Sequence, residues 1–218
     1  MMTRYFMGDP HFDHDSGDGE HGGIIRMMAR VNPEGRLFGS IEEHDRHILN
    51  ETNKRVLRDD ELIIGGDFAW DRPGKFRQQI ICKHVRLVRG NHDKVEQSQN
   101  TFGELPHVIY TEVRNQSGTD KMKVFISHYP HAYWDGSHKG WGHLYGHCHG
   151  QREEELDSIW PQRRALDIGV DNVFLVWGYY GPVSEYQVYD YLARRGGHDD
   201  VRFYKDYQVG LYLKRGLL

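Results

Sequence analysis

ELIIGGD, residues 61–67, is an apolar run cut off by two glycines and an aspartate. Such a pattern is a buried strand that delivers a carboxylate at its C-terminal end. The same arrangement recurs on either side of it. TRYFMGD (3–9) is a short β-like run ending in Gly8-Asp9, and HVRLV (84–88) is a strand that runs into Arg89-Gly90-Asn91-His92-Asp93. Segments 107–114 and 121–127 pair as a hairpin about a polar turn at 115–120, and the second arm ends at Ser127-His128. Leu144-Tyr145 precedes Gly146-His147-Cys148-His149, and 165–170 gives one more strand. Polar residues at strand ends gather along one edge of a sheet, where open α/β proteins keep their sites.

Helices fill the intervals. Residues 24–30 form a short one. Ser40 is a fitting N-cap, with Glu43 three residues on completing a capping box. Ile41, His44, Ile48, Leu49, Thr52 and Val56 then share one face, which predicts a helix over 41–57. Residues 73–82 suit a helix with Pro73 in its first turn, and 183–195 a C-terminal helix entered through Pro-Val-Ser. Residues 13–23 and 131–143 read as loops, and the alternation over 201–213 suggests a closing hairpin.

Composition narrows the function classes. With 218 residues, 38% of them hydrophobic, the chain suits one domain over 1–218 with a real core. Its formal net charge of −4 lacks the global positive field of a typical nucleic-acid binder, so nucleic acid stays open without being called for. Two cysteines, Cys82 and Cys148, suit a reducing compartment. No signal-peptide core or membrane span is legible, so the expectation is a cytoplasmic protein without a membrane partner. Fifteen histidines are many, and several stand beside Asp, Gly or Asn. Imidazole is the commonest metal ligand, so their placement decides.

Five segments concentrate metal-type side chains: Asp9-Pro10-His11, Gly66-Asp67, Gly90-Asn91-His92-Asp93, Ser127-His128 and Gly146-His147-Cys148-His149. In each, Gly or Ser directly precedes the first metal-type residue, which lets the backbone turn sharply. On extended segments, Asp9 and His11 would face the same way, as would His147 and His149. Asp67 has two oxygens and can bridge two cations, Asn91 offers an amide oxygen, and His128 another imidazole. This nitrogen and oxygen mixture suits Mn, Fe, Zn, Ni or Co better than Ca or Mg. Taken singly, each segment has an ordinary explanation as a turn, a surface pair or a half-buried histidine. Five in this order are hard to explain that way.

The set resembles the calcineurin-like metallophosphoesterases, whose pattern is Asp-x-His, Gly-Asp, Gly-Asn-His-Asp/Glu, a lone His and Gly-His-x-His. The likeness covers roughly residues 3–195. It is nearest to the small stand-alone bacterial and phage members, through Phe12-Asp13-His14, SHYPHAYWDGSHKGWGHLYGHCHG (127–150) and LDIGVD (166–171). The resemblance implies an α/β (α+β) four-layer α-β-β-α sandwich, with two mixed sheets flanked by helices. It implies a dinuclear-metal hydrolase that cleaves a small phosphate ester, mono- or diester, by attack of a metal-bridging hydroxide. Asp9, His11, Asp67 and His149 would hold one divalent transition metal, Mn foremost. Asp67, Asn91, His128 and His147 would hold the second. His92 would act as the catalyst beside them, with Asp93 as a candidate to orient it. A non-catalytic metal-binding module on the same fold is the alternative.

Several residues depart from the pattern or extend it. Some members carry an Asp three residues after the bridging one; here that position is Trp70, with Asp71 next. The stretch DSGDGEHGG (15–23), with His21, is an insertion that would lie at the site mouth, as a lid or as a tolerated loop. His14, Trp134 and His138 are candidate substrate contacts, and His143 a candidate for the rim. For His14 the other role is support of a ligand, and for Trp134 and Trp141 it is packing of the loop. Cys148, between two ligands, should point into the core.

Overall fold

The computed structural model describes residues 2–15, 23–31, 36 and 38–195. Residues 16–22 of the insertion, His21 among them, and the predicted hairpin over 201–213 lie outside them. Eight strands form two mixed four-stranded sheets, and seven α-helices accompany them among the described residues. No helix there is long and apolar enough to cross a membrane.

The first sheet has the order β3 (His84–Leu87), β2 (Glu61–Ile64), β1 (Arg4–Met7), β8 (Val183–Ser184). Its first three strands are parallel, with Met7 opposite Ile64 and Ile64 opposite Leu87. They therefore end level, and each polar segment beyond them leaves from the same edge. The second sheet has the order β4 (Val108–Arg114), β5 (Lys121–Ser127), β6 (Gly142–Tyr145), β7 (Ala165–Asp167). There β4 and β5 form the expected antiparallel hairpin, while β5, β6 and β7 are parallel. A parallel bridge between Gly8 and Gly169 ties the end of β1 to the chain leaving β7, so the exits of the two sheets meet.

Alternation along the strands sorts the core. Phe6, Ile63, Val124, Ile126, Leu144 and Leu166 come from both sheets into one buried cluster, which joins the sheets face to face. Met7, Leu62 and Ile64 point the other way, toward Ile48, Leu49 and Phe76 of α2 (Ile41–Arg55) and α3 (Pro73–Arg77). On the far side of the second sheet, Phe125, Tyr145 and Ala165 pack against Trp134. Burying each large apolar side chain contributes roughly 1.5–3 kcal/mol, which fixes the strands firmly enough to aim the polar segments at their ends.

Some helices differ from expectation. Ser40 caps α2, accepting from the Glu43 N–H, but the Glu43 carboxylate accepts from Gly39, one residue before the cap, so the reciprocal box is not formed. Ser184 and Gln187 do form one, at the start of α7 (Glu185–Ala193). The helix over 73–82 stops at Arg77, because the side chain of Asn53 on α2 engages Gln79 and Ile81 and draws that segment out toward β3. Two further helices, α4 (Val95–Phe102) and α5 (Glu153–Ile159), carry no strong apolar stripe to mark them in the sequence. The strand expected over 165–170 ends at Asp167, and α6 (Val170–Trp177) begins where that run was to finish. The 23–31 segment is the helix α1 (Gly23–Val31).

Candidate metal centre

The strand exits bring the ligand-type side chains together. Asp9, His11 and His149 each place a donor atom within 4.8 Å of the other two, and so do Asp67, His128 and His147. Asp67 lies between these groups: its Oδ2 is 3.6 Å from His11 Nε2 and 3.4 Å from His128 Nε2. Asn91 Oδ1 is 2.9 Å from the same His128 nitrogen. All seven ligand candidates from the sequence thus join one cluster.

The local backbone is not the extended chain expected. Asp9, His11, Asp67, His147 and His149 all have left-handed φ, between 49° and 69°. Each such non-glycine residue costs on the order of 1–3 kcal/mol and persists only where its surroundings hold it. The adjoining glycines have a matching cause. A Cβ on Gly90 would lie 2.1 Å from Asp67 Oδ1, and one on Gly146 would lie 2.4 Å from Asp9 Oδ2. The small residue before a ligand therefore makes room for a carboxylate from another segment.

Hydrogen bonds outside the cluster set which atoms face inward. His149 Nδ1 meets Asp171 Oδ2 at 2.6 Å, which leaves Nε2 for a cation in the arrangement common to metal-bound histidines. His128 Nδ1 donates to Gly65 O, and His147 N–H donates to Asp9 Oδ2. Asp9 Oδ1 and His11 Nε2 are buried and lack a hydrogen-bond partner. Unpaired buried polar atoms are costly and call for an explanation. A cation is the partner that suits an acceptor oxygen and an imidazole nitrogen together, so the residues present fit a metal centre.

The electrostatics agree. Burial raises the Asp9 carboxyl to about 6, with the Asp67 charge adding to the effect while His149 and His128 oppose it. Burial would depress His128, but its hydrogen bond to Asp67 and the charges of Asp9 and Asp67 lift it to about 9. Burial holds His11 well below its ordinary value, with His149 and Arg36 adding to the effect. At neutral pH the metal-free cluster thus keeps a proton on His128, which a cation would displace.

The remaining candidates separate. His92 is half exposed; its Nε2 stands 4.0 Å from Asp67 Oδ2, outside both groups, while its N–H donates to Asp67 Oδ1. Asp93 does not orient it. Both Asp93 oxygens are taken by the backbone N–H groups of Asp67, Phe68 and Gly90, so this carboxylate clamps two ligand turns together. Asp71 turns away to Lys94. Trp70 instead lies 5.1 Å from the His92 ring and stacks on His14 at 4.2 Å. His14 Nδ1 is 3.1 Å from His11 Nδ1, so His14 supports a ligand.

Trp134 is core, with its indole N–H donating to Trp141 O. His138 is exposed on the turn Ser137–Lys139, outside the ligand cluster. His143 is fully buried between Phe125 O and the His131 N–H, and burial drives its pKa down to about 3, so it does not line a rim. Cys148 is partly exposed rather than core, and burial with Asp167 nearby pushes its thiol up to about 12, which leaves it a poor nucleophile.

Three participants escape sequence reasoning. Asp171 sits in the LDIGVD run, and its strand-Gly-x-Asp form is the signal that could have marked it. Tyr129, next to His128, is exposed; its ring lies 4.6 Å from His147 and its hydroxyl 3.4 Å from Asn91 Oδ1. Arg36, fully buried, pairs with Asp171 through two hydrogen bonds, and nothing in the surrounding sequence marks it.

No family model matches the chain, and no curated protein does. Among solved structures, the chain is similar to the protein of unknown function AQ665 from Aquifex aeolicus. The TM-score is 0.60 at 23% sequence identity, over 87% of this chain and 99% of that one. That likeness concerns the fold alone.

Proposed function

We propose that the chain is a metal-dependent phosphoesterase on the four-layer α-β-β-α sandwich of the calcineurin-like metallophosphoesterases. Asp9, His11 and His149 would hold one cation, Asn91, His128 and His147 the other, and Asp67 both. Two divalent transition cations, Mn foremost, would supply Lewis acidity toward phosphoryl oxygens and toward water. The observation that carries this reading is the position of Asp67 between two ligand groups, with the His92 imidazole outside both.

His92 has the exposure and the free ring needed to meet a substrate. It would give a proton to the leaving oxygen or stabilise charge that develops there. Trp70 borders the ring in a tilted contact, in the place where a carboxylate would otherwise orient it. Asp93 contributes indirectly, by holding the turns that carry Asp67 and Asn91 in register. Tyr129 and His147 form the accessible side, where a small phosphate ester would enter.

The test is a screen of p-nitrophenyl phosphate, bis(p-nitrophenyl) phosphate and nucleotide-type esters against protein of measured metal content. Turnover of at least one ester that depends on added Mn supports the proposal. Metal binding without hydrolysis of any ester would turn the site into a binding module.

A further inference from the structure

Among the described residues, Arg36 is the largest side chain that is fully buried, and each part of it is used. Nε and Nη2 donate to the two oxygens of Asp171, at 2.7 and 2.9 Å. Nη2 also donates to the carbonyl oxygen of Asp9, and Nη1 reaches Pro10 O at 3.4 Å and His44 Nε2 at 3.1 Å. Its own N–H donates to the Tyr180 hydroxyl. A planar fork satisfied on both edges is the geometry in which arginine cannot be exchanged for lysine.

These contacts converge on one half of the candidate centre. Asp171 is the residue that meets His149 Nδ1. Asp9 and Pro10 belong to the first ligand turn, where Asp9, His11 and Asp13 all have left-handed φ. The far end of that turn is held from the same source. Because Arg36 donates to His44 Nε2, His44 Nδ1 is the donor to Asp45 Oδ1, and Asp45 Oδ2 accepts from the Asp13 N–H. Both ends of a strained turn therefore hang on Arg36, one directly and one through His44 and Asp45. Arg36 itself does not touch Asn91, His128 or His147; the second group is reached only through the Asp9 carboxylate, which accepts from the His147 N–H.

We propose that Arg36 is a positioning residue for the Asp9–His11–His149 half-site, acting through Asp171 on His149 and through the backbone on Asp9. The inference rests on the metal-centre reading. It assigns the selectivity between the two half-sites to a residue that touches neither metal position.

Metal binding reads this out without activity. The wild-type chain is stripped and titrated with Mn by calorimetry, with bound metal counted by elemental analysis, beside Arg36→Met, Arg36→Lys and Asp171→Asn. Circular dichroism and thermal melts establish that each variant is folded. Wild type should bind two equivalents. Arg36→Met should lose one, or bind it about 10–100-fold more weakly, as disruption of a ligand's supporting partner does. Lysine should restore little of this, and Asp171→Asn should resemble Arg36→Met. Combined with His149→Ala, Arg36→Met should add little further loss; combined with His147→Ala, it should leave no tight site. If Arg36→Met does not fold, Asp171→Asn and Arg36→Lys carry the same comparison. No metal bound by wild type would overturn the metal-centre reading itself. Two unchanged equivalents in the folded variants, or equal weakening of both, would overturn the role of Arg36.

Discussion

The two halves of the ligand cluster are built differently. Asp9, His11 and His149 are 0–7% exposed and stand against a second layer of charged and hydrogen-bonding groups that includes Asp171 and Arg36. In the other half, Asn91 and His147 face solvent, and only His128 is deeply buried, held by the carbonyl of Gly65 and bordered by Tyr129. Low dielectric and fixed geometry favour tight retention of a cation. Exposure favours exchange and substrate access. Under the proposed function, the buried half would hold its metal and the open half would meet the phosphate.

The largest effect should come from the residue that the halves share. Asp67→Ala removes the carboxylate between them and should abolish both metal equivalents and turnover; retention of two tight equivalents would break the shared-ligand picture. Next is His92→Ala, which should leave metal content unchanged while lowering kcat roughly 10²–10⁴-fold. A parallel loss of metal would place His92 among the ligands instead.

A smaller effect separates the halves by pH. In the metal-free protein, His128 is raised to about 9, where Asp67 and Asp9 outweigh burial, and Asp167 is raised to about 8 by burial and the nearby Asp9. Folded-state values above the unfolded ones give stability that is complete at low pH and lost as pH rises. For His128 that window runs from about 6.5 to about 9. His14 and His143 are shifted oppositely, by burial, to about 4 and about 3, so their contribution is lost as pH falls below about 6.5. Thermal melts in chelator should therefore show stability falling from pH 7 to 9, and added Mn should flatten that alkaline arm while leaving the acid arm. An alkaline arm indifferent to Mn would detach His128 from the centre.

The smallest effect concerns the open rim. Tyr129→Phe removes a hydroxyl at long hydrogen-bond distance from Asn91, so kcat/KM should change about twofold. A loss of a hundredfold or more would make Tyr129 a direct substrate contact.

The same contrast explains what the sequence disclosed. Strands such as 61–64 and 84–87 were legible because an apolar run ends abruptly at glycine or at a charged turn. The seven ligand candidates were legible because each comes closely after such a run. Their left-handed backbone was not, since nothing in Asp-x-His distinguishes an extended pair from a strained turn. The supporting layer was largely hidden: Arg36 comes from a Gly-rich stretch with no periodicity, and Asp171 adjoins a run that reads as a strand. Trp134 and His143 show the opposite error, in which polar or aromatic residues near the motif belong to the far face of the second sheet. Which residues a strand end delivers is a local matter; what braces them depends on tertiary packing.

The most direct measurement is hydrolysis of bis(p-nitrophenyl) phosphate by stripped wild-type protein as Mn is added one equivalent at a time. If the buried half fills first and both halves are needed, turnover should stay near background through the first equivalent and rise across the second. Full activity at one equivalent, or none at any loading with Mn, Fe, Zn, Ni or Co for this or any other ester tried, would contradict a two-metal phosphoesterase.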